Sequence, residues 1–150
     1  MNNFDGVIIL NVEEILENLK KKGYKMTEQR REIIQSILNQ DRYVSAKEIL
    51  NQVQNRFPGV SFDTIYRNLS ILSDLDLVEE TQLDGEAKYR VSCVEDHHHH
   101  LVCTKCGKTF VMPECPMDLL QGLAGDFKVT GHTFEIYGLC KDCQEEKKDS

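Results

Sequence analysis

Ser61-Phe62-Asp63-Thr64-Ile65-Tyr66-Arg67-Asn68-Leu69-Ser70-Ile71-Leu72, with Leu77 to Thr81, Asp84-Gly85 and Lys88 to Val91 behind it, is the stretch whose reading decides the fold. Ser61 can accept hydrogen bonds from the N–H groups that a helix start leaves unsatisfied. Phe62, Ile65, Leu69 and Leu72 follow at helical spacing and predict the core side. Asp63, Tyr66, Arg67 and Ser70 then fall on or beside the opposite face. Asp84-Gly85 between two strand-like runs predicts a hairpin, because a two-residue turn needs positive φ at its centre. A helix with a polar, aromatic and cationic outer face, followed by a hairpin, predicts the reading helix and wing of a winged helix-turn-helix.

Upstream, the pattern supplies the rest of that domain. Ile15, Leu16 and Leu19 form a helical stripe that stops at Gly23. A second helix starts at Thr27 and carries Ile33, Ile34, Ile37 and Leu38. Ser45 with Glu48 makes a capping box for a third helix through Ile49, Leu50 and Val53, which Pro58-Gly59 ends.

Downstream, the chemistry changes. Residues 1–91 contain no cysteine or histidine, and residues 92–150 hold all six cysteines and all five histidines. This predicts a DNA-binding domain over 1–91 and a metal-binding domain over 92–150, giving an α+β chain. In the second part Leu101-Val102, Thr109 to Met112, Phe127 to Thr130 and Thr133 to Tyr137 read as strands, and Pro116 opens a helix running to Ala124. Cys103-x-x-Cys106 and Cys140-x-x-Cys143 supply the four thiolates of a closed structural zinc site. Two redox dithiols are the alternative, but they leave the repeated spacing and Gly107 unexplained. In the run His97-His98-His99-His100, strand alternation sends His97 and His99 to one side and His98 and His100 to the other, which suits two separate metal sites. His132 reads equally as a structural histidine or a ligand, and Cys115 reads most simply as a small buried residue, with a metal or redox role as the lesser alternative.

The chain has 150 residues, 40% hydrophobic and 29% charged, with a net charge of −7. The two parts carry −3 and −4, so neither coats nucleic acid through a bulk positive field, and any DNA contact has to be local. Lys25 and the Tyr66-Arg67-Asn68 triplet are the candidates. Val7 to Leu10 is too short for a membrane helix and has no basic residue before it, so the expected location is the cytoplasm, with no membrane partner.

The motifs Gly23-Tyr24-Lys25-Met26-Thr27-Glu28-Gln29-Arg30, Ser61 to Leu69, the histidine run before Cys103, and Gly131-His132-Thr133-Phe134-Glu135-Ile136-Tyr137-Gly138 resemble the ferric uptake regulator family in the same order. The resemblance runs from about Val12 to Cys143. It implies an N-terminal winged-helix domain, a small α/β dimerisation domain with structural zinc, and metal-dependent repression by a homodimer on double-stranded operator DNA. Cys115-Pro116-Met117-Asp118 and the segment from Cys93 to the histidines are most similar to the zinc uptake regulators of Gram-positive bacteria. Tyr43 and Val111 stand where the iron and peroxide sensors place a histidine and an aspartate ligand. On this likeness a sensory zinc falls on Glu79, Cys93, His98 and His100, and a third set on His97, His99, Asp118 and His132. DNA contacts fall on Lys25, Ser61, Thr64, Tyr66, Arg67 and Asn68, with Arg67 toward guanine and Tyr66 toward a thymine methyl. The implied function is a zinc-responsive repressor at inverted repeats of zinc uptake and homeostasis genes.

Three other readings compete. An iron- or peroxide-responsive regulator of the same family is the nearest. A zinc hydrolase or deaminase would need an open metal position and a positioned general base, and the His-x-Glu plus Pro-Cys-x-x-Cys arrangement is absent. A zinc-ribbon interaction module leaves the first ninety residues without a role.

Overall fold

The computed structural model describes residues 2–4, 7–94, 98–112 and 114–146. It divides into two compact units, Met1–Val94 and Glu95–Ser150.

The first unit opens with a hairpin of β1 (Asn2–Phe4) and β2 (Val7–Ile9), which the hydrophobic pattern did not reveal. Four helices follow: α1 (Val12–Lys21), α2 (Glu28–Leu38), α3 (Ala46–Val53) and α4 (Phe62–Asp74). Each begins at a residue whose side chain takes a backbone N–H of the first turn. Asn11 and Ser45 do so within full capping boxes, and Thr27 and Ser61 do so singly. Gly23 ends the first helix region at φ 89°, a conformation that disfavours any residue with a Cβ. Ile15, Leu16, Leu19, Ile33, Ile34, Ile37, Ile49, Val53, Ile65, Leu69 and Leu72 meet in one core. At about 1.5–3 kcal/mol for each large aliphatic side chain removed from water, this core is the main stabilising term of the unit.

Behind α4 the chain forms the expected hairpin, β4 (Val78–Leu83) and β5 (Glu86–Val91), paired from Val78↔Val91 to Leu83↔Glu86. Its turn residues Asp84 and Gly85 have φ of 52° and 77°. A two-residue strand, β3 (Val44–Ser45), adds to the other edge of β5 in the order β3-β5-β4. The result is a winged helix-turn-helix.

The second unit is a three-stranded sheet in the order β7-β6-β8, with β6 (His99–Cys103) antiparallel to β7 (Thr109–Met112) and parallel to β8 (Glu135–Gly138). Short helices α5 (Met117–Gln121) and α6 (Lys141–Glu145) complete it. Two expectations are corrected here. Phe127 to Thr130 is not a strand, and α5 stops at Gln121 rather than Ala124. Both segments are exposed, so β-prone residues gain no sheet partner and the helix gains no packing to extend it. Among the described residues of this unit few are buried: His99, Val102, Cys103, Gly107, Thr109 and Cys143. A core this small needs an additional constraint to hold its shape.

Candidate metal centres and nucleic-acid interface

The four-cysteine group is built by two turns. After β6 the chain reverses through Gly107, at φ 78°, with Gly107 N–H donating to the Cys103 carbonyl at 2.9 Å and Cys103 N–H to the Lys108 carbonyl at 2.9 Å. After β8, Cys140 caps α6 and its carbonyl accepts from Gln144 N–H at 3.0 Å. The sulfurs of Cys103, Cys106, Cys140 and Cys143 lie within 4.8 Å of one another, with Cys106 and Cys140 at 3.8 Å. A tetrahedron with zinc–sulfur arms of about 2.3 Å has edges of about 3.8 Å, so the group fits zinc. Burial pushes the Cys103 thiol up, but the backbone N–H groups of Cys106, Cys140 and Lys105 outweigh it and bring the thiol down to about 6. Burial and the neighbouring sulfurs hold Cys143 up to about 12. Ionising one sulfur opposes ionising the next, and a divalent cation removes that opposition.

Of the residues assigned to the sensory set, Glu79 and Cys93 belong to the first unit, where Arg90 lies between them. Its guanidinium donates to Cys93 Sγ at 2.9 Å, sits 3.8 Å from the Glu79 carboxylate and lies 5.7 Å from the buried Tyr43 ring. A carboxylate and a sulfur are therefore already gathered around one positive charge, and a metal taking them competes with Arg90. His98 and His100 belong to the second unit, with ring centroids 4.7 Å apart, edge to face. Buried His98 Nδ1 has no hydrogen-bond partner, a costly state that a metal bond would relieve.

On the other side of the run, His99 Nε2, Cys115 Sγ and His132 Nε2 form a triangle with every side 3.3 Å. The Phe134 ring packs against both imidazoles. Alternation thus separates His99 from the His98 and His100 pair. His97 lies outside the described residues. Asp118 is exposed in the first turn of α5 and is not in the group. Cys115, read from sequence first as a small buried residue and second as a metal or redox residue, is half-buried and belongs to the group. The sequence signal for it was a cysteine three positions before the acidic residue, at the entrance to α5.

The outer face of α4 presents Tyr66, 49% exposed, stacked on Phe62 at 6.2 Å, with Arg67 exposed beside it. Phe62 is a correction: it is 46% exposed rather than in the core, because as the first helical residue it precedes the point at which the core stripe turns inward. Ser61 and Thr64 share a hydroxyl contact of 3.3 Å at the exposed helix start. Asn68 is the second correction. It is 7% exposed; its Oδ1 accepts from Arg30 Nε at 2.8 Å, and its Nδ2 donates to the Thr64 carbonyl at 2.8 Å. Its amide is buried and bonded within the protein at both ends, which fits a positioning role better than base reading. Arg30, quoted in the motif but given no role, also donates to the Lys25 carbonyl and lies 5.8 Å from the Tyr24 ring. Asn68 and Arg30 therefore position the loop bearing exposed Lys25 against the reading helix.

A sequence profile of the ferric uptake regulator family matches residues 21–137. The ferric uptake regulation protein of Staphylococcus aureus (strain N315) is 40% identical over 136 residues, covering 91% of this chain and all of the relative. The structure of the Helicobacter pylori ferric uptake regulator superposes with a TM-score of 0.72 at 23% identity, over 96% of this chain and 97% of that one. A zinc uptake regulator solved with zinc and DNA superposes at 0.64 and 23% identity, over 91% and 95% of the two chains.

Proposed function

Because the chain belongs to the ferric uptake regulator family, metal-responsive transcription regulators rather than enzymes, we propose that it is a zinc-responsive repressor that binds inverted-repeat operators as a homodimer. The observation that carries the choice of zinc is the donor chemistry. The four-cysteine group offers only sulfur, and the sensory set proposed on Glu79, Cys93, His98 and His100 offers a thiolate, two imidazoles and a carboxylate. Sulfur and imidazole together favour zinc over iron(II) or manganese(II). Tyr43 and Val111, where relatives that sense iron or peroxide carry ligands, are a buried phenol and an aliphatic side chain, and neither completes an iron-type set.

Zinc when bound supplies a fixed tetrahedral link among its ligands. In the second unit this link supplements a small core through Cys103, Cys106, Cys140 and Cys143. In the sensory set it would restrain residues drawn from both units, so that the DNA-binding form is the one zinc binds more tightly. Dimerisation is supported by a row of cross-strand neighbours, Phe110, Leu101 and Ile136, which are 39, 36 and 48% exposed on one face of the β7-β6-β8 sheet. Such a row suits a second copy of the same face. Each copy then presents α4 to a major groove. Arg67 faces guanine, Tyr66 packs near a thymine methyl, Ser61 and Thr64 lie at the helix start, and Lys25 approaches phosphate.

The names of curated relatives favour a second reading, iron as the sensed metal. Fluorescence anisotropy of an operator selected from a randomised inverted-repeat library, titrated with buffered zinc, iron(II) and manganese(II), separates the two. Zinc alone should tighten binding by about tenfold or more, within the usual range of such coupling. Tightening by iron(II) with no response to zinc overturns the proposal.

A further inference from the structure

Between β7 and β8 the chain leaves the sheet as a loop, the short helix α5 and a second loop. From Glu114 to Gly138 no residue is buried. Leu119, Leu123 and Phe127 are 82, 82 and 77% exposed, so apolar burial within the chain does not hold this excursion in place. Its two ends are nevertheless gathered at one point. Cys115 near the start and His132 near the end both touch His99, which is 8% exposed at the beginning of β6.

We infer that His99, Cys115 and His132 form a zinc site of two imidazoles and one thiolate that staples residues 115–132 to the sheet, with Cys115 rather than Asp118 as the anionic ligand. Closing all three contacts of 3.3 Å as hydrogen bonds would force one imidazole N–H to serve two acceptors and the other imidazole's lone pair to take two donors. Each imidazole nitrogen carries either a proton or a lone pair and cannot donate and accept at once. Three converging donor atoms are instead what a cation needs. A point equidistant from the corners of this triangle lies about 1.9 Å from each, slightly inside the zinc–nitrogen distance of about 2.0–2.1 Å and the zinc–sulfur distance of about 2.3 Å. An ion just out of the plane therefore reaches all three atoms. The phenyl ring of Phe134 against both imidazoles fixes their orientation. The thiolate is the selective element: an all-oxygen-and-nitrogen set accepts iron(II) or manganese(II), and sulfur shifts preference to zinc and its spectroscopic substitute cobalt(II).

The inference rests on the metal-dependent reading above only in taking zinc as the cation, and its test needs no DNA. Full-length protein, its Cys115→Ser variant and its Asp118→Ala variant are loaded stepwise with zinc or cobalt(II). Metal content, the thiolate-to-cobalt charge-transfer band and amide hydrogen exchange are then read. Cys115→Ser should weaken one metal equivalent by about 100-fold or more. It should remove part of the charge-transfer intensity and speed exchange across residues 116–131, leaving the four-cysteine equivalent intact. Cys115→Asp, which keeps an anionic ligand if serine disturbs folding, should retain the metal and lose that share of the band. Unchanged metal affinity and spectrum in both Cys115 variants overturns the inference, as does loss of the equivalent in Asp118→Ala alone. A DNA response to iron instead of zinc would overturn the function proposed above and leave this outcome unaffected.

Discussion

Arg67 and Asn68 are adjacent in sequence and opposite in role. Arg67 is exposed on α4, and Asn68 is buried between Arg30 and the Thr64 carbonyl. Arg67→Ala should keep the stability of the wild type and lose about 1–3 kcal/mol of operator binding, with relaxed preference at one position in each half-site. Asn68→Ala leaves the Arg30 Nε–H without its acceptor and should destabilise the first unit by about 1–3 kcal/mol. Urea unfolding together with binding to single-base operator variants distinguishes the two. An Arg67→Ala protein with unchanged base preference would reduce this helix face to a solvated surface.

Among the elements, α3 depends most visibly on its cap. Ser45 Oγ accepts from Glu48 N–H at 3.2 Å, and Glu48 returns the bond to Ser45 N–H at 2.8 Å while also taking Arg42 at 2.7 Å. Ser45→Ala should cost about 1 kcal/mol, measured as a shift of the urea midpoint. Burial pushes the Glu48 carboxyl up, but Arg42 and Ser45 outweigh it and hold it below its ordinary value. A depressed carboxyl stabilises the fold above its unfolded-state pKa, and that contribution fades as pH falls through the folded value. The urea midpoint of the wild type should therefore drop more than that of Glu48→Gln on going from about pH 5 to about pH 3. A parallel fall in both proteins would show that the carboxylate adds nothing, as many partly exposed ion pairs do. On the sheet of the second unit, Leu101→Glu places a charge in the centre of the Phe110, Leu101 and Ile136 row. Sedimentation should then report monomer with the zinc content of the wild type.

At the scale of the whole molecule the two units draw on different sources of stability. The first has a core of large aliphatic side chains and, of the six cysteines, only Cys93; the second has few buried side chains among the described residues and two groups of converging donor atoms, the four cysteines and the His99, Cys115 and His132 set. A strong chelator should therefore melt the second unit, seen as rapid exchange of the amides of β6 to β8, while the α1 to α4 amides stay protected. Cys140→Ser should do the same without chelator. Simultaneous loss of protection in both units would show that the first depends on the second. No helix among the described residues is long and apolar enough to cross a membrane.

What the sequence by itself determined is whatever depends on neighbours along the chain. The caps at Asn11, Thr27, Ser45 and Ser61, the Asp84-Gly85 turn, the Ile65, Leu69 and Leu72 stripe and the two Cys-x-x-Cys knuckles are local, and their spacing carries their physics. The Asn11 cap is equally local, but Asn11 stands ahead of the apolar stripe, whose spacing marks the helix body and not its start. The four-cysteine group was legible because a repeated knuckle has few other uses. Only the tertiary structure decided the non-local pairings: β3 on β5, the bridge from Ile9 to Cys93, the amide of Asn68 turned toward Arg30, and Cys115 brought to His99 and His132. Each joins residues that no period connects, and their partners are set by where the chain returns. A cysteine and two histidines separated by 16 and 17 positions become one ligand set because β6 fixes one of them and the excursion between β7 and β8 begins and ends beside it.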